Sequence, residues 1–507
     1  MRDQLESFLL VLAVGSAVAI GAKRIGVPYN VALVLVGLVL VLLTPPTRMN
    51  PDIIMVLFLP ILVFEGALFA DAESLREAAR PILALSVPGV ALSLIGTAAV
   101  ATWALDLPFA AALLLGSILA ITDTVSVLLA FRSVRVPHRL KAIMEGESLF
   151  NDGTALVLVS LTTTVVASGV FDPTQTARSL IIAIFGGLAL GAAFGALGAA
   201  VLRHTPDHLT AILASLVLVF SASLVSESVH ASPVIAVVVA GVAVGHAARR
   251  ALEPSRVLAL QGFWETAGFG LNVLIFLLVG MQIRADTLFA EAGSIALALV
   301  ALHAGRAIAV YGCFGILRAV SRELVPMRWQ HVMVLGNIKG ALSMAAVLAL
   351  PQGLPHRERF ITIVFGVTFV TLLTQALPFR RILKSLGVAS VSAHPELDAA
   401  KAVLVSARRA QAELDELLAS GLISRKDHAE RRAAFQREII RAESELRGPA
   451  GEHVRDALAD VAILNAQKSA LLDAARRGLI AEETAMARVN ELDRSLVRLG
   501  AHDGESS

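Results

Sequence analysis

The chain has 507 residues, 56% of them hydrophobic and 17% charged, with a net charge of +2. That apolar share excludes an ordinary water-soluble domain and fits a polytopic membrane protein. There is no basic block interleaved with aromatics to suggest nucleic acid, and the single cysteine, Cys313, excludes an intramolecular disulfide and reads as a small core residue.

A bilayer is crossed by about 17–25 apolar residues. The first apolar run, about 7–22, lacks a basic leader and a clean cleavage site, so it reads as a first span rather than a cleaved signal. About thirteen candidate spans follow one another, near 6–22, 28–43, 52–70, 80–103, 108–131, 140–168, 178–202, 209–229, 232–248, 259–281, 291–317, 329–350 and 358–384. The basic residues between them alternate. One set of loops carries about fifteen, among them Arg76, Arg139, Lys141, Arg249 and Arg328, and the other about five, including Arg178 and Arg357. The rich side is the cytoplasmic one, which puts the N-terminus outside and the segment after Lys384 inside.

From about Ser392 the composition turns to Ala, Glu, Arg and Leu with helical period. This predicts a helical cytoplasmic tail over 391–499 after a transmembrane domain over 1–390, with a disordered end at 500–507. SGLISRKDHAERR near Ser420 is weakly repeated by RGLIAEETAMARV near Arg477, which suggests two helical hairpins.

The stretch Leu140 to Leu158, LKAIMEGESLFNDGTALVL, organises the membrane part. On a helix, Glu147, Ser148, Asn151 and Asp152 fall within an arc of roughly 140°, a single polar stripe. A charge at the bilayer centre costs at least about 2.5–3.5 kcal/mol, so acids there require partners, protons or cations. If the helix starts near Leu140, Asp152 lies roughly 18 Å in, about mid-membrane. Such a carboxylate can hold either a proton or a hard cation, and Ser148, Thr122 and Glu147 offer further oxygen. A polar helix facing a water-filled vestibule, with no binding role, is the bland alternative.

The preceding span, GSILAITDTVSVLLAF, places Asp123 between Thr122 and Thr124, where a local break can present backbone groups to an ion. A plain helix-capping Asp123 is the other reading. In the twelfth span, MVLGNIKGALSMAAVLALP, Lys339 interrupts an apolar run between Asn337 and Gly340. A buried lysine is expected to pair with a glutamate at depth or else to snorkel. Two interrupted helices at comparable places in two halves are the pattern of inverted-repeat transporters. Arg306, in LHAGRAIAVYG, is a second intramembrane cation, expected to pair with an acid or cap a broken helix. Glu65 and Glu265 are further acids, Glu265 closer to a span end. Glu227 and His230 sit near the outer end of another span.

TDTVSV followed by EGESLFNDGTALVL resembles the paired signature of the NhaP-like sodium/proton exchangers among the cation–proton antiporters. LPILVFEGALFADAESLREAARPILALSVPGV, FWETAGFGLNVLIFLLVGMQI, GRAIAVYG and GNIKGALSMAAVLALP match other stretches of that family in order, so the resemblance covers about residues 5–385. It implies an all-α polytopic membrane protein of about 13 transmembrane helices, with inverted repeats, two broken helices, a dimer subdomain and a moving core, assembled as a homodimer. Asp152 is similar to the family's ion- and proton-exchanging aspartate, and Asn151 to its partner, which orients a glutamate. Glu147 and Ser148 resemble accessory residues, Thr122 a backbone carbonyl donor, and Asp123 the acid of the broken helix. Two positions depart from the family pattern: Thr124 stands where proline is usual, and Lys339 where arginine is usual. Lysine can release a proton when buried and arginine effectively cannot.

The expected function is therefore exchange of Na⁺ (or Li⁺) for H⁺ by alternating access in a bacterial inner membrane, for pH and sodium homeostasis, with no cofactor. Na⁺ would sit at Asp152, Ser148 and Thr122, with Glu147 and Asp123 as further ion or proton groups and Asn151, Lys339 and Arg306 in support. One titrating carboxylate implies one-for-one, electroneutral exchange. A K⁺/H⁺ antiporter of the same fold is the nearest rival, and an ion-binding sensor or channel a more distant one. An enzyme is not expected: a hydrolase needs a nucleophile with its base or a zinc set, and His204 and His208 in HTPDH lie in a loop around Pro206.

Overall fold

The computed structural model describes residues 2–25, 27–41, 53–134, 136–205, 207–282, 285–321, 323–388 and 395–446, and isolated positions beyond 462. Among the described residues all regular structure is helical. The chain divides into two compact units, Met1–Ala389 and Ser390–Ser507.

The first unit begins with α1 (Arg2–Ile25), α2 (Tyr29–Leu40) and α3 (Leu59–Phe69), the last continuing a π turn at Ile54–Phe58. α4 (Ala79–Leu105) holds a second π turn around Pro88, whose missing N–H cannot close the ordinary helical bond. The fifth expected span is two short helices, α5 (Phe109–Ala120) and α6 (Thr124–Ser133). α7 (His138–Ser168) carries the acidic stripe and ends at Gly169, whose φ of 71° is readily reached only without a Cβ. α8 (Pro173–His204), α9 (His208–Ser228) and α10 (Pro233–Ala251) follow, capped by Asp172, Asp207 and Ser232, each accepting backbone N–H groups of its first turn. Next come α11 (Pro254–Gln282) and α12 (Ala292–Ser321). The twelfth expected span is again split, into α13 (Met327–Leu335) and α14 (Ala341–Leu348). α15 (Arg357–Thr371), extended by a π turn at Leu372–Ala376, and α16 (Phe379–Ser385) close the unit.

Among the described residues, eight helices are long and apolar enough to cross a membrane: α4, α7 to α12, and α15 with its π turn. Tyr29–Leu40, Ile54–Phe69, Phe109–Ala120 and the Ala13–Ala22 part of α1 are shorter apolar segments. Two packed groups emerge. α8, α9 and α10 pack together and α10 packs on α3, while α2 lies along α11. α4 packs on α12, α5 on α4 and α7, and α15 on α12 and α14. The α2–α11 crossing is very close: a Cβ at Gly37 would sit 2.8 Å from Gly280 Cα.

The second unit is described as an antiparallel hairpin of α17 (Pro395–Ala419) and α18 (Arg425–Leu446), turning at Gly421 with φ 76°. Arg408 meets Glu443 at 3.0 Å and Gln411 meets Gln436 at 3.1 Å, while Leu414 and Ile439 are buried. The second hairpin suggested by the repeat near Arg477 lies outside the described residues.

Candidate ion site

The fifth and twelfth helical stretches are interrupted where they meet. α5 stops at Ala120 because Ile121 turns extended, and Asp123 restarts the chain as N-cap of α6, accepting from Ser126 N at 3.4 Å. Asp123 N donates to the Ile338 carbonyl in the second break at 2.8 Å. Gly340 has to be glycine for this contact, since a Cβ there would lie 2.7 Å from Asp123 Cβ.

Lys339 occupies the other end of the crossing. It is fully buried, and its Nζ donates to the Ile121 carbonyl at 3.0 Å and to Asn337 Oδ1 at 2.7 Å. Its backbone N donates to Thr371 Oγ1 at 3.1 Å, and Ser343 Oγ also reaches the Ile121 carbonyl, at 3.2 Å. A cation thus sits against the carbonyl end of α5 and an anion against the N–H end of α6, the signs that the two helix dipoles favour.

The expected pairing of Lys339 with a glutamate is corrected here. Glu147 binds Arg306 instead, with Nη1–Oε1 at 2.8 Å and Nη2–Oε2 at 3.2 Å, both residues buried. Arg306 Nε also donates to the Met333 carbonyl of α13 at 3.2 Å. The planar guanidinium fork suits a carboxylate and a carbonyl at once, whereas an ammonium fits the single carbonyl at Ile121. Both Glu147 oxygens are engaged by Arg306, so Glu147 is a strut of the site rather than a solvated ligand.

Asp152 lies on the same helix, with Thr122 N donating to its Oδ1 at 3.2 Å. Its Oδ2 accepts no hydrogen bond among the described residues. Thr122 Oγ1 is 3.0 Å from Ser148 Oγ, so carboxylate and hydroxyl oxygens of Asp152, Thr122 and Ser148 are gathered around the first break. Asn151 Nδ2 donates to the Ala120 carbonyl at 3.0 Å and to Thr122 Oγ1 at 3.2 Å. This corrects the expectation that Asn151 orients a glutamate: it ties α7 to the break. Its own Oδ1 is buried without a hydrogen-bond partner among the described residues, an acceptor next to Asp152 in the chain that a water or cation can use. For Thr122, the groups seen at work are its amide and hydroxyl.

Thr122, Asp123 and Asp152 line a cavity of about 1400 Å³. α2, α3 and α11 also line it, through residues including Tyr29, Glu65, Glu265 and Asn272, as do Lys141, Glu145 and Arg381. Glu227 and His230 are exposed at the end of α9, away from this cavity. Sequence reasoning missed Asn30, Ser126, Ser343 and Thr371, which brace the crossing. A lone Asn30 in an otherwise apolar run was the readable signal.

Residues 9–385 match the family described as "Sodium/hydrogen exchanger, transmembrane". The chain is 37% identical to the Na(+)/H(+) antiporter NhaS2 of Synechocystis sp., with 97% of this chain and 93% of that protein covered. It is 33% identical to the Na(+)/H(+) antiporter NhaG of Bacillus atrophaeus, over 76% of this chain and 75% of that one. In fold it is similar to the sodium proton antiporter MjNhaP1 from Methanocaldococcus jannaschii at pH 8, with a TM-score of 0.61 at 20% identity over 75% of this chain and 96% of that chain. With nearly the whole membrane unit matched and a relative aligned across both units, the chain belongs to the sodium/hydrogen exchanger family.

Proposed function

We propose that this protein is a secondary antiporter that exchanges Na⁺, or Li⁺, for H⁺ through Asp152. The observation that carries this reading is a carboxylate lining a large cavity, beside two interrupted helices, anchored through one oxygen only. A half-buried carboxylate in a low-dielectric site is stable either protonated or with a cation bound, so the two substrates compete for one group. Asp152, Thr122 and Ser148 supply the oxygen ligands, and Asn151 sets the position of Thr122. Arg306, Glu147 and Lys339 neutralise the surrounding helix ends. The helices around the crossing, α4 to α7 and α12 to α16, form the moving core. α1 to α3 and α8 to α10 form the frame, which also provides the homodimer contact.

The cycle follows from competition. With the cavity open to the side bearing Lys141 and Arg381, taken as the cytoplasmic side in a bacterial inner membrane, Asp152 releases a proton and binds sodium. The core then moves, and a proton from the other side displaces the ion. The N-terminus is outside and the tail cytoplasmic. The cycle supports pH and sodium homeostasis. Sodium is favoured over potassium because the relatives carry sodium in their names. One titrating carboxylate gives one-for-one exchange, and rates fall at both pH extremes, because excess protons block the cation and scarce protons stall the return.

The test is ²²Na⁺ uptake into proteoliposomes under an imposed pH gradient, with voltage clamped or free, comparing the wild type with Asp152→Asn. Uptake lost in the variant and indifferent to voltage supports one-for-one exchange. Voltage-driven uptake assigns Lys339 a second proton. No sodium uptake by the wild type overturns the sodium assignment.

A further inference from the structure

A buried polar chain beside the cavity links α2 to the first break. Asn30, on α2, is fully buried, and its Nδ2 donates to Ser126 Oγ; the Ser126 hydroxyl in turn donates to Asp123 Oδ2. The direction is fixed, because a serine has one O–H to give and the Asp123 carboxylate takes it, so only the serine lone pairs are left for the Asn30 amide. Asn30 Oδ1 is held by Val31 N at 3.0 Å. Through Asp123 the chain reaches the second break at Ile338 and Gly340.

The two ends of this chain belong to different packing groups. α2 is bound to α11 by the Gly37–Gly280 crossing and by the Tyr29 and Phe269 rings, whose centroids are 5.3 Å apart. Ser126 and Asp123 belong to the interrupted helices. Tyr29, Thr122 and Asp123 all line the cavity.

We propose that Asn30 is a positioning residue that latches the crossing to α2 in the cavity-open state and so sets the cation affinity seen from that side. The inference rests on the transport reading above: if the crossing moves against α2 to expose Asp152 elsewhere, this bond breaks in each cycle. Removing it shifts the population away from the cavity-open state. A hydrogen bond coupled to a charged group corresponds to about a five- to tenfold change in such an equilibrium.

The experiment is ²²Na⁺ exchange by the full-length protein in everted and right-side-out bacterial membrane vesicles. Wild type, Asn30→Ala, Ser126→Ala and the double variant are compared. The expected result is an apparent KM raised about five- to tenfold from the cavity side in Asn30→Ala, and unchanged or lowered from the other side. The double variant matches Ser126→Ala alone, since Asn30 acts through Ser126. If Asn30→Ala does not yield a monodisperse protein, Asn30→Leu keeps the approximate volume, removes the donor, and carries the same expectation. Equal KM changes on both sides, or additive effects in the double variant, overturn the latch while leaving antiport intact. Loss of exchange in the wild type overturns the transport reading itself.

Discussion

Glu147 and Asp152 are carboxylic acids five residues apart on one helix, in opposite circumstances. Glu147 meets a two-pronged guanidinium and is sealed from solvent. Asp152 has one backbone N–H on one oxygen and a cavity in front of it. The difference is that a paired charge is locked and an under-paired one must find a mobile partner. The same contrast divides the two buried cations. Arg306 is spent on Glu147 and Met333, whereas Lys339 is held by one carbonyl and one carboxamide, with no carboxylate at ion-pair distance among the described residues.

The largest expected effect comes from Asp152. Asp152→Asn brings sodium/proton exchange down to the level of empty liposomes while the protein still elutes as a folded species. Residual exchange in that variant would break the comparison, because another group would then be carrying the ions. The next effect is on stability. Arg306→Ala leaves Glu147 charged and unpaired and is expected to cost about 3–5 kcal/mol, read as a lower melting temperature in detergent. Replacing both partners, Glu147→Met with Arg306→Met, loses much less, because no buried charge remains unpaired. A double variant as unstable as Arg306→Ala alone would show that the pair acts by packing.

Lys339→Met leaves Asn337 Oδ1 without its donor and the Ile121 carbonyl with Ser343 Oγ only, and is expected to cost about 1–3 kcal/mol, less than the loss of Arg306. Thermal shift on the two variants side by side tests that order. Smaller still, Ser148→Ala and Thr122→Val are expected to raise the apparent KM for Na⁺ about three- to tenfold with turnover less affected, since each removes one oxygen and keeps the carboxylate. Equal effects on KM with Li⁺ and with Na⁺ would sharpen the assignment of both hydroxyls as direct ligands.

The weakest effect is in the tail. The His428 hydrogen bond and, behind it, the Arg432 charge hold the Asp415 carboxyl below its usual range. A lowered value means that the contribution is present at neutral pH and is lost as pH falls through the folded value, below about 3.9. The group is solvent-exposed, so screening keeps the gain small. Asp415→Asn in the full-length protein is expected to raise proteolysis at the Gly421 turn slightly at pH 7; cleavage unchanged by the substitution means that the hairpin is held by its other contacts, without the Asp415 charge.

Much of the membrane unit was legible from residues in order. Hydropathy marked the helical stretches, and the Thr-Asp and Gly-rich interruptions marked the two breaks, because a polar or glycine residue in an apolar run has few structural excuses. The number of membrane crossings was less legible, since α5, α6, α13 and α14 are too short to cross alone. The charged residues were visible as well, but their pairing was not. Glu147 and Arg306 are separated by 159 positions, and nothing local distinguishes Arg306 from Lys339 as the partner.

What the sequence by itself determined is the class of molecule and the residue types at its centre. Apolar length and the period of the polar stripe on α7 are local properties, and they survive any choice of neighbours. The tertiary structure alone decided which charge is spent and which is left at the cavity. That outcome depends on donors reaching across from other helices: Arg306 from α12, the Thr122 amide from the break, and Asn30 from α2. Hydrogen bonds are short and directional, so only the packed arrangement of these helices makes one carboxylate a strut and the other an ion site.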